Sequence, residues 1–234
     1  MPSRELRRRM ICLGVGLALA GLGVALSTQA GLGTTPISSV PYVLTFLSPL
    51  SFGTWTFIFN ILFIIGQMIL LKKEFRRIQY FQLVVITIFG VFIDVGMYLT
   101  EFYIPDAYWK QIVELLLGCF VLAAGITCEL TADLIYIPGE GFAQAFCYAK
   151  KKEFGLVKVG LDVSLVVTAL AISLIGARQI LGLREGTFIA AFAVGWMIRL
   201  LLQHVDFLRA WCYGAPQPAD KAKALTMDAQ LSIK

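Results

Sequence analysis

The sequence predicts an all-α membrane protein with about six transmembrane helices, arranged as two inverted three-helix repeats. Three observations lead to this fold class: the composition, the number of long apolar segments and an internal repeat. Of the 234 residues, 58% are hydrophobic and only 15% are charged, and the mean hydropathy is +0.78. Soluble domains carry charge on about a quarter of their residues. We therefore expect this chain to reside in a lipid bilayer.

Six segments have the length and apolar character of membrane-spanning helices, which need about 20 apolar residues to cross the hydrocarbon core. They cover residues 10–27, 53–71, 80–98, 111–128, 155–176 and 187–204. These segments divide the chain into five regions. The regions are a basic N-terminus (1–9), a first three-helix repeat (10–104), an external loop (105–110), a second three-helix repeat (111–207) and a flexible cytoplasmic tail (208–234).

The two halves of the chain match each other at a constant offset of 102 residues. The matching residues are Gly16, Gly23, Ala30, Leu32, Pro36, Phe52 and Gly53, which recur as Gly118, Gly125, Ala132, Leu134, Pro138, Phe154 and Gly155. At the same offset Asn60 corresponds to Asp162, and at an offset of 105 Asp94 corresponds to Arg199. Repeats of this kind are typical of membrane transporters. Because each repeat holds an odd number of spans, we expect the second copy to have the opposite orientation.

The basic residues predict which side of the membrane each end faces. Most of them would share one side, namely Arg4, Arg7, Arg8, Arg9, Lys72, Lys73, Arg76, Arg77, Lys150, Lys151, Lys152 and Arg209. The positive-inside bias then places both termini in the cytoplasm. A cleaved signal peptide is the alternative for the first apolar segment, but cleavage would remove the first helix of one repeat.

The segments 28–52 and 130–154 connect the first two spans of each half, and each contains a proline after a polar run. Proline favours the first turn of a helix, so we expect short helices to begin at Pro36 and Pro138. Two interpretations remain open. The short helices either re-enter the membrane, with their N-terminal amides facing the middle of the protein, or lie on its surface as amphipathic helices.

Four ionisable residues inside the predicted spans are candidates for function: Asp94, Lys158, Asp162 and Arg199. Charges in such positions usually face a protein interior or a cavity, where they pair. We expect Asn60 to pair with Asp94, and Asp162 with Arg199, either as structural pairs or along a pathway. The complete set of candidate pathway residues is Thr35, Ser38, Ser39, Asn60, Asp94, Glu140, Lys158, Asp162 and Arg199.

The sequence contains no pattern that is typical of an enzyme, a metal site or a cofactor site. There is one histidine, and the five cysteines form no C-x-x-C motif, so inert thiols are expected. The motifs of hydrolases and phosphate-binding loops are absent from the sequence as well. The net charge of +5 comes from basic residues that flank apolar spans, so no nucleic-acid partner is expected.

The run GLGVALSTQAGLGTTPISSVPYVL and the later FGTWTFIFN, between Gly21 and Asn60, resemble the YczE/YyaS/YitT family of bacterial integral membrane proteins. The G-x-x-x-D motif from Gly90 to Asp94 and the second-half Phe154-Gly155 are similar to that family as well. The resemblance covers roughly residues 8–207 and implies a multi-span protein of the bacterial cytoplasmic membrane. It implies no defined activity. The second half lacks the G-x-G of the first, so we expect the two halves to differ in role.

We expect this protein to transport a small polar or anionic solute by alternating access at the interface between the repeats. The alternative is a non-transporting scaffold or accessory subunit that stabilises a partner. The expected partners are the lipid bilayer and an unidentified small solute, and a homo-oligomer is compatible with this fold.

Overall fold

A computed structural model describes residues 3–75, 77–102, 105–152 and 154–214, and in these ranges it contains helices, turns and no strand. The helices are α1 (Ser3–Gln29), α2 (Ser39–Thr45), α3 (Phe52–Leu71), α4 (Gln82–Thr100), α5 (Tyr108–Ala132), α6 (Pro138–Lys150), α7 (Phe154–Ala177), α8 (Glu185–Leu202) and α9 (Asp206–Tyr213). Short 3-10 helices cover Pro36–Ser38, Lys72–Glu74 and Arg77–Phe81.

Six of these helices, α1, α3, α4, α5, α7 and α8, are long and apolar enough to cross a membrane. This result confirms the six apolar segments predicted from the sequence. The largest difference in bounds is at the start of α1, which begins at Ser3, whereas the predicted segment began at residue 10. Helix α5 ends at Ala132, whereas the predicted segment ended at residue 128. Glu129 therefore belongs to a membrane-length helix.

Helices α1 and α5 pack closely at the centre of the bundle. Small residues allow their backbones to approach each other, and the contacts are Gly16 with Glu129, Ala20 with Gly125, Gly23 with Leu122 and Ser27 with Gly118. Residue numbers rise along α1 while they fall along α5, so the two helices run antiparallel. A shift of 102 residues converts the Gly16–Glu129 contact into the Gly118–Ser27 contact.

The remaining helices surround this central pair. Helix α4 packs on α1, where Gly21 lies against Ile93 and Gly96 against Ala25, so these two helices run parallel. Helix α8 packs on α5, and α3 packs on α4 and α6. Helix α7 contacts the short helices α2 and α6. Each short helix therefore packs on a long helix of the other half of the chain.

Helix α9 closes one end of the bundle, against α1 and α5. Arg9 donates hydrogen bonds to the carbonyl oxygens of Ala132 (2.7 Å) and Asp133, and its guanidinium lies 4.9 Å from the ring centroid of Tyr213. The flexible tail was predicted to start at residue 208, but residues 208–213 belong to α9, where Cys212 is buried. The rest of the predicted tail, 215–234, lies outside the described residues.

Candidate functional site

The two short helical segments begin at the predicted prolines and meet inside the protein. The 3-10 turn that leads into α2 begins at Pro36, and α6 begins at Pro138. Ile37 lies so close to Gly139 that a methyl group added at Gly139 would overlap its side chain. Both prolines are buried. The start of each helix therefore lies in the interior of the bundle.

Hydroxyl groups surround the start of the first short segment. Thr35 donates to Ser38 (3.1 Å), and Ser39 donates to the carbonyl oxygen of Pro36 (2.6 Å). The hydroxyls of Thr28 and Thr34 are also hydrogen-bonded to each other (2.8 Å). All five of these side chains are buried. The structure thus brings the predicted residues Thr35, Ser38 and Ser39 together. Their hydroxyls form hydrogen bonds within the same short segment.

Helix α3 presents a polar face to the interior. The Asn60 amide donates to the Thr56 carbonyl oxygen (2.8 Å). Its own Oδ1 atom, like the Thr56 hydroxyl, is buried without a hydrogen-bond partner in the described part of the chain. Gln67 donates to the carbonyl oxygen of Pro138 (3.0 Å) and to Gln82 (3.1 Å). Buried polar atoms without a partner are uncommon and call for a reason, and a bound solute or water would supply one.

Asp94 stabilises the start of α3. The sequence had led us to expect that it would pair with Asn60 instead. Its carboxylate accepts a hydrogen bond from the Gly53 backbone nitrogen (2.7 Å) and another from the Ser51 hydroxyl (2.6 Å). A carboxylate is favourable at a helix N-terminus, where backbone N–H groups lack partners. The expectation was wrong because the position of Asp94 within its predicted span does not show which backbone amides of the neighbouring helix lack partners.

The second-half candidates form a charged cluster on α6 and α7. Lys158 and Asp162 form an ion pair of 2.8 Å, and both charges act electrostatically on the half-buried Glu140. The expected pairing of Asp162 with Arg199 was wrong, because Lys158, one turn away on α7, takes the carboxylate. Arg199 is exposed on α8. The positions equivalent to Glu140, Lys158 and Asp162 in the first half are uncharged.

A cleft of about 560 Å³ opens where α1 and α4 end and α3 begins. Its polar lining consists of Gln29, Tyr42, Thr45, Ser51, Asp94, Tyr98 and Glu101. The described lining therefore carries two acidic side chains and no basic one. Asp94 lies both in this cleft and at the cap of α3.

Sequence reasoning missed Glu129, which is buried in α5 and accepts a hydrogen bond from the Ile137 backbone nitrogen (2.6 Å). The sequence could have indicated this residue, because a glutamate directly follows an apolar segment. The predicted span, however, stopped one residue before it. Gln82 was missed because it begins a helix at a polar boundary. Among the described residues, no group of three or more His, Cys, Asp or Glu side chains is arranged to hold a metal ion.

The fold and the buried polar groups define a multi-helix membrane protein whose short helices start inside the bundle. The chain matches DUF6198, a family of unknown function, over residues 7–203, and it belongs to this family. This match covers all six membrane-length helices. No curated protein and no solved structure matches the chain.

Proposed function

We propose that this protein carries a small polar solute across the bacterial cytoplasmic membrane, by alternating access between two inverted repeats. Two observations carry the proposal together. The short helical segments begin at a buried junction of Ile37 and Gly139, and α3, which packs on α6, holds buried polar atoms without partners among the described residues. In transporters with inverted repeats, the solute binds where broken helices meet near the membrane centre.

Two features of the packing support inverted repeats. Helices α1 and α5 run antiparallel where they contact each other. A shift of 102 residues converts each contact between them into another contact of the same pair of helices, as Gly16–Glu129 becomes Gly118–Ser27. The short helices also pack crosswise, with α6 on α3 and α2 on α7. Both patterns are what a two-fold axis between the halves would produce.

The path of α6 supports a re-entrant segment. The start of α6 contacts Phe63 and Gln67, which lie within the length of α3. Its last turn brings Tyr148 to Glu74, which follows the end of α3. The hydrogen bond with Glu74 raises the pKa of the Tyr148 phenol. Irregular backbone within a membrane is tolerated only where protein or a water-filled cavity surrounds it. In the segment that leads into α6, exposure falls from the exposed Asp133 through half-buried residues to the buried Ile137.

The charges favour a neutral or positively charged solute over an anion. The cleft contains Asp94 and Glu101, and the α6–α7 cluster contains Glu140 and Asp162 against the single cation Lys158. An anion would be repelled by both regions. We therefore propose a polar solute without net negative charge, which narrows the class expected from the sequence.

The alternative function is an accessory subunit that stabilises a partner protein. Its support is the structural use of two candidate residues, since Asp94 caps α3 and Asp162 pairs within its own helix. In that case the embedded charges would serve folding alone, and the unpartnered atoms of Thr56 and Asn60 would serve no ligand.

The experiment that separates these functions combines a solute screen with the variant Asn60→Leu. Purified protein in detergent is heated with amino acids, amines, polyols and small anions, and the shift in unfolding temperature is measured. A solute at 100 times its Kd stabilises the folded state by about 2.7 kcal/mol. Hits are then tested for uptake by proteoliposomes.

We expect a polar or cationic solute to stabilise the wild type and to lose this effect in Asn60→Leu. The variant itself should unfold at a temperature close to that of the wild type. It removes a buried oxygen without a partner, which is favourable, and also the amide donor to the Thr56 carbonyl oxygen, which is unfavourable. Thr87→Val, which changes an exposed hydroxyl on α4, is the control and should keep the solute shift. Absence of any solute shift in the wild type would favour the accessory subunit.

A further inference from the structure

Glu129 is a buried carboxyl group whose hydrogen bonds are only half satisfied. The residue is 2% exposed and lies in the last two turns of α5. Its Oε1 atom accepts from the Ile137 backbone nitrogen at 2.6 Å, and its buried Oε2 atom has no partner among the described residues. This unpartnered atom indicates that the carboxyl group binds a proton, an ion or a molecule that the described residues do not provide.

Among the described residues, no cation forms an ion pair or a hydrogen bond with the Glu129 carboxyl group. Ile137, which donates to Glu129, directly precedes α6, and Glu140 lies in the first turn of that helix. Two ionised carboxylates so placed repel each other. The same end of the bundle also carries ionisable groups of α1, α5, α9 and the loop before α6. They are Arg4, Glu5, Arg7, Arg8, Arg9, Cys12, Cys128, Asp133, Tyr136, Asp206, Arg209, Cys212 and Tyr213. Arg8 donates to the carbonyl oxygen of Trp211. Arg9 bonds to Glu5 and to carbonyls at the end of α5, and Arg209 bonds to the carbonyl oxygen of Leu202.

The start of α6 favours a negative charge on Glu129, as the start of α3 does for Asp94. Two larger effects oppose the ionised form. Burial removes its hydration, and a single backbone N–H group replaces only part of the lost hydrogen bonding. The nearby Glu140 adds repulsion if it is ionised as well. A proton on Oε2 removes the charge and with it both penalties, while Oε1 remains free to accept from Ile137.

We propose that Glu129 is a proton-binding site that is occupied at neutral pH, and that Glu140 tunes its affinity for the proton. This inference rests on the proposed function only in one respect, namely that the proton would then be the coupling ion of transport. The hydrogen bond from Ile137 links the site to the start of α6, because Ile137 directly precedes Pro138. Loss of the proton would place a negative charge next to the junction of the short helices.

The test is infrared spectroscopy of the purified full chain, which detects the carbonyl stretch of protonated carboxylic acids without any solute. At pH 7 ordinary Asp and Glu side chains are ionised. We expect a protonated-carboxyl band at this pH, and we expect Glu129→Gln to remove one component of it. The control is Glu114→Gln, which changes a second buried glutamate of α5 with an unpartnered oxygen and should leave that component in place.

Titration of the band with Glu140→Gln provides a second readout. Removing the neighbouring carboxylate should change the pH at which the Glu129 component of the band disappears. A wild-type spectrum with no protonated carboxyl at pH 7, or a band unchanged by Glu129→Gln, would overturn the proposal. If the Glu129 band is present but proteoliposomes take up no solute, the proton site stands and transport fails. If uptake occurs without the band, the proton site alone fails.

Discussion

Ile37 and Gly139 lie against each other, 102 residues apart in the chain, at the point where the two short helical segments begin. The offset of 102 residues makes each the equivalent of the other in the proposed repeat. A two-fold axis between the proposed halves would pass through this contact. Because Gly139 has no side chain, Ile37 fills the space beside it. Phe63 of α3 approaches the same glycine. The junction is thus closed by apolar packing, with polar groups around it.

Gly139→Val tests this packing. The added side chain overlaps Ile37, and overpacking a buried site costs about 1–3 kcal/mol. Ile37→Ala in the same chain should restore part of the lost stability, with a coupling of about 0.5 kcal/mol or more. Thermal unfolding in detergent measures both effects.

Gly160→Val is the matched control, because a side chain at this position of α7 meets open space. Its unfolding temperature should stay close to that of the wild type. Equal losses at Gly139 and Gly160 would contradict the close contact with Ile37.

The sequence predicted the elements better than their partners. Hydropathy located all six long helices, and proline located the starts of both short helical segments, because these signals are local. The partner of Asp94 depends on where the free amides of α3 lie, and the partner of Asp162 on whether α8 comes within reach. Such contacts are tertiary and leave no periodic signal. Glu129 escaped notice because the end of an apolar segment is less sharply defined than its middle.

A side chain added to a glycine at the contact between α1 and α5 should destabilise the protein. Gly125→Ala places a methyl group against the backbone of Ala20 and the Gly16 carbonyl oxygen, which cannot rotate away. We expect a loss of about 1–3 kcal/mol, measured as a lower midpoint of unfolding. Gly14→Ala on α1, where a side chain meets nothing within 4 Å, should have little effect. A tolerant Gly125 together with a sensitive Gly14 would refute the antiparallel register.

Asp94 should contribute to stability through its cap on α3. In Asp94→Leu the Gly53 amide loses its acceptor, at a cost of about 1–3 kcal/mol for a buried unsatisfied donor. Asp94→Asn keeps an oxygen acceptor and should lose about 1 kcal/mol or less. Urea or thermal unfolding of the three proteins tests this order. If Asn and Leu are equally destabilising, the negative charge itself is what the site requires.

The Lys158–Asp162 pair should show strong coupling between its two members. Asp162→Leu removes the carboxylate that lies 2.8 Å from Lys158 and leaves Glu140 as the opposite charge of the cluster. We expect a cost of about 1–2 kcal/mol, because both members of the pair are partly exposed. Lys158→Leu in addition should recover most of that loss. The double-mutant cycle is measured by thermal unfolding. Additive losses would show that the two charges act separately.

The arrangement of the chain across the membrane can be tested by labelling single cysteines with an impermeant thiol reagent in whole cells. Residue 106 lies between α4 and α5, and residue 151 lies between α6 and α7. We expect position 106 to react from outside and position 151 to stay protected until the membrane is permeabilised. Position 73, at the end of α3, is the internal control, because the contact between Glu74 and Tyr148 places it on the same side as position 151. Reaction of positions 106 and 151 from the same side would exclude an inverted second repeat, because α5 could not then cross in the direction opposite to α1.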